Sequence, residues 1–357
     1  MSLLHAQIDV VGGELDQALV GAPAGIRERV FVVLTLTDAE GVSGVGEASP
    51  LPGYSPDSLD EAVETLRELV EAPIEVDADL SARQMLDQTA EVQLATSPAA
   101  RFAIETAILD WLGQARGRPL HRLLSADGSR PVEIAALVFE PDPSSWPVAA
   151  DALVANGRKH LKFKIGAGSL VDEVHALEAV RRAHPSASIR VDANRRLPFA
   201  ELAQHRDALL ALDLAFIEEP VDPASWLEAG SLGLPLALDE TLREEAASRL
   251  MLPNPNLRAL VIKPSVVGGI TAALDLAKIG RDFGAEPVIS HVFEGPIARA
   301  ACGEIALAVE ATLPQGLGDH PCLELWPDHR LAGFAGNTVS PHAVSGIGLT
   351  FEEVNDA

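Results

Sequence analysis

A regular alternation of short apolar runs and helical patterns is the feature that most restricts how this chain can fold. From Pro131 onward the centres of the runs lie roughly 21 to 28 residues apart, about the length that one strand, one helix and two short loops require. The runs lie at 132–138, 160–166, 188–194, 214–220, 235–240, 259–264, 286–291 and, more weakly, 315–319. Seven or eight consecutive units favour an α/β fold with a closed, TIM-like (β/α)7β barrel over an open doubly wound sheet. No glycine fingerprint follows the first run, which weakens the dinucleotide-binding alternative.

The residues before Pro131 show a different pattern, typical of a small α+β unit. Apolar alternation predicts three antiparallel strands, and helical periodicity predicts two helices. They lie at 6–11, 29–37, 42–48, 58–71 and 99–115. We therefore expect an α+β capping domain at residues 1–128, a barrel domain at 129–320, and a C-terminal segment at 321–357 that returns to pack on the capping domain.

The composition excludes several classes of partner. The net charge of −25 argues against nucleic acids and anionic membranes as partners. No apolar run is long enough to span a membrane, and the first residues lack the basic and apolar segments of a signal peptide. The two cysteines, Cys302 and Cys322, make no disulfide framework or zinc cluster. We expect a cytoplasmic protein whose partner is a small molecule.

Two lysines on one face of the run at 160–166 are unusual for this chain. It has 27 lysine and arginine residues in all, of which five are lysine. Lys162 and Lys164 alternate with Leu161 and Phe163, so both lysines lie on the same face of a strand. Two cations on an apolar strand are costly unless negative charge lies nearby. Lysine, unlike arginine, can lose its proton near neutral pH when its surroundings lower its pKa.

Carboxylates at the ends of three successive runs predict a metal site. In a barrel of this kind the active site lies at the carboxyl ends of the strands. Asp192, Glu218 and Asp239 hold such positions, and Glu218 is chosen over Glu219 because Glu219 falls on the opposite face of its strand. Three converging carboxylates repel each other unless a cation neutralises them. Oxygen ligands without cysteine or histidine suit a hard ion, so we expect Mg²⁺, with Mn²⁺ as a substitute.

The lysines lie at strand ends on both sides of these carboxylates. Lys162 and Lys164 come before them in the chain, and Lys263 comes after. A bound Mg²⁺ would lower the pKa of the lysines by charge repulsion, and Lys162 would act in the same way on Lys164. The pattern predicts a lysine general base beside a Lewis acid.

Short motifs extend this pattern over nearly the whole chain. They are Gly46-Glu-Ala-Ser-Pro-Leu-Pro-Gly53, Gly117-Arg-Pro-Leu-His-Arg-Leu-Leu124, Val191-Asp-Ala-Asn194, Ile217-Glu-Glu-Pro220, Ala237-Leu-Asp-Glu240 and Val261-Ile-Lys-Pro264. With the Lys-x-Lys pair they resemble the enolase superfamily and, in its muconate-cycloisomerase-like subgroup, the o-succinylbenzoate synthases of menaquinone biosynthesis. That superfamily is one in which a lysine or histidine base works beside Mg²⁺.

The resemblance implies a dehydration that yields o-succinylbenzoate. The substrate would be a cyclohexadiene carboxylate with a succinyl side chain and a hydroxyl group, and its carboxylate would lie on Mg²⁺. Lys164 would remove the proton alpha to the carboxylate and then assist departure of the hydroxyl group. Lys263 would stay charged on the other face and stabilise the enediolate.

Further residues are candidates for substrate binding. The resemblance implies that the loop at 49–54 closes over the substrate and excludes water. The N-terminus of the helix that Gly295 and Pro296 open has free N–H groups for the succinyl carboxylate, although Glu294 would repel an anion if it pointed inward. We expect His291 to be structural or to support the site from outside it. The predicted substrate-binding residues are Lys162, Asn194, Ser290, Gly295, Pro52, Gly53 and Tyr54.

Two other functions are compatible with the same residues. A racemase or epimerase of N-acylamino acids or dipeptides would use Lys164 and Lys263 as opposed bases at the same metal. A binding or scaffold protein could keep the barrel without the chemistry, but the complete set of lysines and carboxylates argues against it.

Overall fold

The computed structural model describes residues 1–16, 18, 19, 22, 25–91, 97–125, 128, 130–244, 254–326 and 328–351. Its strands are β1 Ser2–Glu14, β2 Glu28–Thr37, β3 Ser43–Ala48, β4 Ile74–Val76, β5 Val132–Glu133, β6 Ala136–Leu137, β7 His160–Lys164, β8 Ser188–Asp192, β9 Ile217–Glu218, β10 Leu236–Leu238, β11 Leu257–Ile262, β12 Glu286–Ile289, β13 His329–Leu331, β14 Phe334–Ala335, β15 Thr338–Val339 and β16 Leu349–Phe351.

The helices alternate with the strands through most of the chain. They are α1 Leu59–Glu71, α2 Ala82–Glu91, α3 Pro98–Arg116, α4 Leu120–Leu124, α5 Trp146–Ala155, α6 Leu170–Ala183, α7 Phe199–Gln204, α8 Arg206–Ala211, α9 Trp226–Gly230, α10 Pro264–Val267, α11 Ile270–Asp282 and α12 Pro296–Ala308. Short 3-10 helices lie at Pro143–Ser145, Pro223–Ser225, Glu240–Arg243 and Pro321–Leu325. Among the helices that the structure describes, none has the length and apolar character that crossing a bilayer requires.

Seven parallel strands form the barrel, in the order β12-β11-β10-β9-β8-β7-β6. The sheet closes on itself through Gln315 and Gly316, which bridge to Ile134 before β6 and to Ser290 after β12. The backbone N–H of Gly316 also donates to the carbonyl of Ile289, at 2.9 Å. The predicted (β/α)7β barrel is confirmed, and the run at 315–319 contributes bridges in place of a full strand.

The run predicted at 132–138 is divided between two sheets. β6 pairs with β7 in the barrel, whereas β5 pairs with β15 of the C-terminal segment. Ala135, between them, donates its N–H to the carbonyl of Gln315 at 2.9 Å. The sequence suggested one strand because apolar alternation shows which face a residue occupies and not which strand it pairs with.

An antiparallel sheet and helices form the N-terminal part, as predicted, with one strand more than expected. The order β3-β2-β1-β4 adds the short strand β4 to the predicted three. Helix α3 packs on β3 so closely that a Cβ atom on Gly46 would lie 1.9 Å from the carbonyl oxygen of Ala103. The close contact therefore requires glycine at this position of β3.

The C-terminal segment contacts both parts of the molecule. Leu120, at the start of α4, donates its N–H to the carbonyl of Gly346 at 2.7 Å, and Ile347 donates to Asp110 of α3 at 2.9 Å. The same segment reaches the barrel region through the pairing of β15 with β5. The domain boundaries at 128/129 and 320/321 stay predictions.

Two buried glutamates of the N-terminal part bind helix N-termini of the barrel. Glu47 accepts hydrogen bonds from the N–H groups of Gly295 (2.6 Å) and Ala298 (3.2 Å) at the start of α12. Glu105 accepts one from Thr271 (2.9 Å) at the start of α11. A carboxylate is stabilised at a helix N-terminus by free N–H groups and the helix dipole. These contacts fix the sheet and α3 on the barrel.

We expect Gly46→Ala to lower the free energy of unfolding by about 2–3 kcal/mol, because the added methyl group would force α3 away from β3. Chemical unfolding followed by circular dichroism measures this change. Gly168→Ala is the matched control, since only a Glu173 oxygen, at 3.9 Å, lies near its Cβ position. The control should change stability by less than about 0.5 kcal/mol. Equal stabilities of the two variants would contradict the close packing.

Candidate active site

Three consecutive strands bring three carboxylates together at one end of the barrel. Asp192 ends β8, Glu218 ends β9 and Asp239 directly follows β10. Their oxygen atoms lie within 4.8 Å of one another, and all three residues are buried. The parallel register places Asp192 beside Glu218, as expected for the carboxyl ends of adjacent strands.

The neighbouring acids, Glu219 and Glu240, lie outside this cluster. Glu219 accepts hydrogen bonds from the N–H groups of Asp239 and Thr241, both at 2.8 Å, and from the Arg195 side chain at 3.1 Å. Glu240 accepts one from the Asn194 amide at 2.8 Å. The side chain of Glu219 therefore fixes the loop after β10, in agreement with the strand-phase argument that selected Glu218.

The three predicted lysines pair with the three carboxylates. Lys162 Nζ donates to both Glu218 oxygens, at 2.9 and 2.7 Å, and lies 2.8 Å from Asp192. Lys164 Nζ donates to Asp192 at 2.6 Å, and Lys263 Nζ donates to Asp239. Along the sheet, the lysines of β7 lie before the carboxylates and Lys263 lies after them. The carboxylates are therefore flanked by ammonium groups on both sides.

The mutual charges decide the pKa directions in this cluster. Burial lowers the pKa of Lys162 and Lys263, but the facing carboxylates outweigh it, so both pKa values are raised. Burial raises the pKa of Asp192, yet Lys162 and Lys164 hold it well below its usual value. Burial and the charge of Asp192 raise the pKa of Glu218 to about 7. The raised pKa values of Lys162 and Lys263 follow because each ammonium group touches a carboxylate, and the lowering of lysine pKa values by a bound Mg²⁺ stays a prediction.

The backbone is strained directly after the first two carboxylates. Asn194, Arg195 and Glu219 have φ angles of 43°, 64° and 41°, in the left-handed region that residues other than glycine rarely adopt. The Asn194 side chain accepts a hydrogen bond from Lys164 Nζ at 2.8 Å. Strain of this kind persists where the surrounding contacts position a functional side chain, and here it brings the Asn194 amide against Lys164.

The loop at 49–54 reaches the site through Tyr54. The Tyr54 hydroxyl donates to Asp239 at 3.0 Å and accepts from Lys263 Nζ at 2.6 Å. Leu51 and Tyr54 line the cavity above the carboxylates, whereas Pro52 and Gly53 are exposed. Of the three loop residues predicted to bind substrate, the structure thus brings Tyr54 to the site.

The helix N-terminus predicted for the succinyl carboxylate has another partner. The N–H of Gly295 donates to Glu47, which is a correction to the expected free anion site. Glu294 does not face the cavity; it accepts hydrogen bonds from the Ser265 hydroxyl at 2.5 Å and from the N–H of Val292. Ser290 does line the cavity, with its hydroxyl 3.2 Å from the carbonyl of Gly316.

His291 lines the cavity but has both ring nitrogens engaged. Its Nε2 donates to the carbonyl of Gly318 at 3.1 Å, and its Nδ1 accepts from the N–H of Phe293 at 3.1 Å. Burial, together with the charge of Arg299, lowers the pKa of His291 to about 3. A neutral ring with no free nitrogen fits the predicted structural role.

Several cavity residues were missed in the sequence, among them Arg190 and His320. Arg190 lies two residues before Asp192 on β8 and is buried. The spacing from Asp192 places both side chains on one face of the strand and could have identified Arg190. His320 follows the closing segment at Gln315 and Gly316. The strand pattern there is too weak to predict which side chains face the cavity.

The three carboxylates fit a divalent cation. The candidate ligand atoms are all carboxylate oxygens of buried residues, one from each residue, and they lie within 4.8 Å of one another. Such a set of oxygen ligands suits a hard ion such as Mg²⁺. The ammonium groups that now hold Asp192, Glu218 and Asp239 belong to long side chains. Each of these carboxylates already contacts a positively charged lysine, as it would contact a bound cation.

Comparison with known families matches nearly the whole chain. Residues 147–354 match the family model described as Enolase C-terminal domain-like. Residues 15–125 match the one described as Mandelate racemase / muconate lactonizing enzyme, N-terminal domain.

Individual relatives carry different activities. The o-succinylbenzoate synthase of Desulfotalea psychrophila is 30% identical, over 79% of this chain and 84% of that protein. The N-succinylamino acid racemase of Thermus thermophilus is 27% identical, over 77% of this chain and 75% of that protein. Among solved structures, the dipeptide epimerase of Methylococcus capsulatus, complexed with Mg and the dipeptide L-Arg-D-Lys, superposes with a TM-score of 0.83 at 22% identity. That superposition covers 98% of this chain and 100% of that one.

We expect Asp192→Asn to weaken Mg²⁺ binding by about tenfold or more, because one of three charged oxygen ligands is lost. Isothermal titration calorimetry with MgCl₂ alone measures the affinity. Asp207→Asn is the matched control, since the Asp207 side chain on α8 is 92% exposed and pairs with Arg206. An unchanged affinity in Asp192→Asn would exclude the carboxylate cluster as the metal site.

Proposed function

Because the chain belongs to the enolase superfamily, we propose that it is an o-succinylbenzoate synthase acting in the cytoplasm in menaquinone biosynthesis. It would dehydrate a hydroxycyclohexadiene carboxylate with a succinyl side chain. Several relatives with this activity, at 25–30% identity over most of the chain, support the proposal. The flanking of three carboxylates by lysines on both sides supports removal of a proton beside a carboxylate, and the relatives favour the dehydration.

The positions of the lysines support the proposed roles. Lys164 and Lys263 both line the cavity, and they lie on opposite sides of the carboxylate row. A substrate carboxylate bound at that row would have one lysine on either side. Lys164 ends a strand and also contacts Asn194, which holds its amine toward the cavity. Lys263 is paired with Asp239 and with the Tyr54 hydroxyl, which favours its charged form.

The reaction can be written as two proton transfers through one lysine. Lys164, once its ammonium group has lost a proton, takes the proton from the ring carbon alpha to the carboxylate. The electron pair of that C–H bond becomes the new C=C bond as the adjacent C–O bond breaks. The leaving hydroxyl group takes the proton from Lys164 and departs as water, so the ring becomes aromatic and the lysine is neutral again. Charged Lys263 stabilises the developing negative charge from the other side.

A divalent ion held by Asp192, Glu218 and Asp239, Mg²⁺ or Mn²⁺, would supply a Lewis acid for the substrate carboxylate. Lys162 donates to two of these three carboxylates and thereby holds them in place. The loop that carries Tyr54 covers this end of the barrel and would exclude water from the reacting atoms.

We expect Lys164→Ala to reduce turnover of the cyclohexadiene substrate by about 10³-fold or more, because the general base and acid are lost together. Formation of o-succinylbenzoate in the presence of Mg²⁺, followed by ultraviolet absorbance, measures it. Lys278→Ala, an exposed lysine on α11, is the matched control and should keep wild-type turnover. Turnover that survives in Lys164→Ala with native circular dichroism would refute the mechanism, and a wild-type protein without turnover would refute the proposed function.

A racemase of N-succinylamino acids is the second candidate, favoured by the relative with that activity and by the opposed lysines. Here each lysine would exchange the α-proton of one enantiomer. In D₂O, Lys164→Arg and Lys263→Arg should each abolish deuterium incorporation from a different enantiomer, read by NMR. Absence of incorporation with the wild-type protein across a panel of N-succinylamino acids would exclude this candidate.

A further inference from the structure

The barrel mouth has one side with the lysines and carboxylates and an opposite side that includes His320. In the ring of eight strand positions, β9 lies four places from the closing segment at 315–316 in either direction. Glu218 at the end of β9 therefore faces the segment that leads into His320. A substrate bound by its carboxylate at Asp192, Glu218 and Asp239 would extend across the mouth toward His320.

His320 has two buried ring nitrogens without a hydrogen-bond partner among the described residues. Of the residues that line the cavity, Arg190 and His320 alone have buried side-chain nitrogen atoms without a hydrogen-bond partner in the described parts of the chain. In His320 both Nδ1 and Nε2 lack a partner, and the residue is only 5% exposed. Leaving a buried polar group unpaired costs free energy, so these nitrogens are expected to meet a partner when a ligand is bound.

The ring of His320 is held in position by its neighbours. It packs on His291 with ring centroids 4.3 Å apart, and edge-on against Phe293 at 5.6 Å. The preceding residue, Asp319, is fixed by an ion pair with Arg299 at 2.7 Å. A hydrogen-bonding group on a fixed ring loses little conformational freedom on binding a ligand.

His320 is a neutral residue beside apolar cavity walls. Burial and the positive charges of Arg299 and Arg29 lower the pKa of His320 well below its usual value, so the ring is neutral and carries one N–H donor. Asp319, which pairs with Arg299, also lines the cavity, so selectivity for a carboxylate is expected to come from the hydrogen bond and not from net charge. The adjacent cavity walls are apolar, formed by Leu51, Leu137, Phe139 and Phe293.

We propose that His320 is a specificity residue that donates a hydrogen bond to the terminal carboxylate of a short acyl chain on the substrate. The apolar walls would pack on the methylene groups of that chain. This inference rests on the proposed function in that the acyl chain is taken to be succinyl. Both the synthase and the racemase reactions use such a chain, so the role does not depend on which of them occurs.

A pair of ligands that differ only in the terminal group tests the role without turnover. o-Succinylbenzoate ends in a carboxylate, and 2-butanoylbenzoate has a methyl group in its place. Calorimetry with Mg²⁺ present should show that the wild-type protein binds o-succinylbenzoate more tightly, by about tenfold to a hundredfold. His320→Phe keeps the stacked ring but removes the donor, and it should bind both ligands alike. His320→Gln keeps a donor and should restore part of the preference.

Two controls separate ligand recognition from folding. His160→Phe, at the opposite end of the barrel on β7, should keep the wild-type preference. Thermal unfolding of His320→Phe and His320→Gln checks that both variants fold. A preference that persists in His320→Phe would overturn the inference, as would an equal loss of affinity for both ligands, because that pattern indicates a structural role.

The test distinguishes this inference from the proposed function. If the wild-type protein prefers o-succinylbenzoate and His320→Phe loses the preference, the role of His320 stands even without turnover of the cyclohexadiene substrate. If turnover occurs but the preference does not depend on His320, the function stands and the inference fails. If neither aromatic ligand binds, N-succinyl- and N-butanoylamino acids repeat the comparison, and no preference for the succinyl form would overturn the inference.

Discussion

Charge compensation at the carboxyl end of the barrel is the constraint on which the rest of the site depends. Asp192, Glu218 and Asp239 are buried within contact distance of one another, where unpaired carboxylates would each cost several kcal/mol. Lysines on the strands to either side supply the compensating charge. The lysines that compensate the buried negative charge would also lie beside a substrate carboxylate bound there. The same residues would therefore serve both the stability of the cluster and the proposed reaction.

The N-terminal part of the chain completes this site through two kinds of contact. Glu47 and Glu105 bind the N-termini of barrel helices, which fixes the antiparallel sheet and α3 against the barrel. The loop after β3 then brings Tyr54 onto Asp239 and Lys263. The N-terminus of α12 therefore binds Glu47 and joins the two parts of the molecule, so it is not free to bind a substrate anion. Other residues would have to recognise the substrate side chain.

The cavity contains the lysines and, apart from them, a largely apolar wall. The lysines and carboxylates would serve any reaction that begins with removal of a proton alpha to a carboxylate, so they fit a synthase and a racemase equally. Discrimination between substrates has to come from the remaining cavity wall, which includes Phe139, Phe293 and His320. His320, whose two ring nitrogens have no hydrogen-bond partner among the described residues, is the polar group on that wall that we propose discriminates between substrates.

The sequence by itself determined the barrel, the convergence of Asp192, Glu218 and Asp239, and the flanking lysines. Strand periodicity fixes which side chains share a face, and parallel strands align their carboxyl ends. It did not determine that Glu47 takes the N–H of Gly295, that the run at 132–138 divides between two sheets, or that His320 enters the cavity. Those features depend on contacts between residues far apart in the chain, and periodicity carries no information about such partners. Only the tertiary structure decided them.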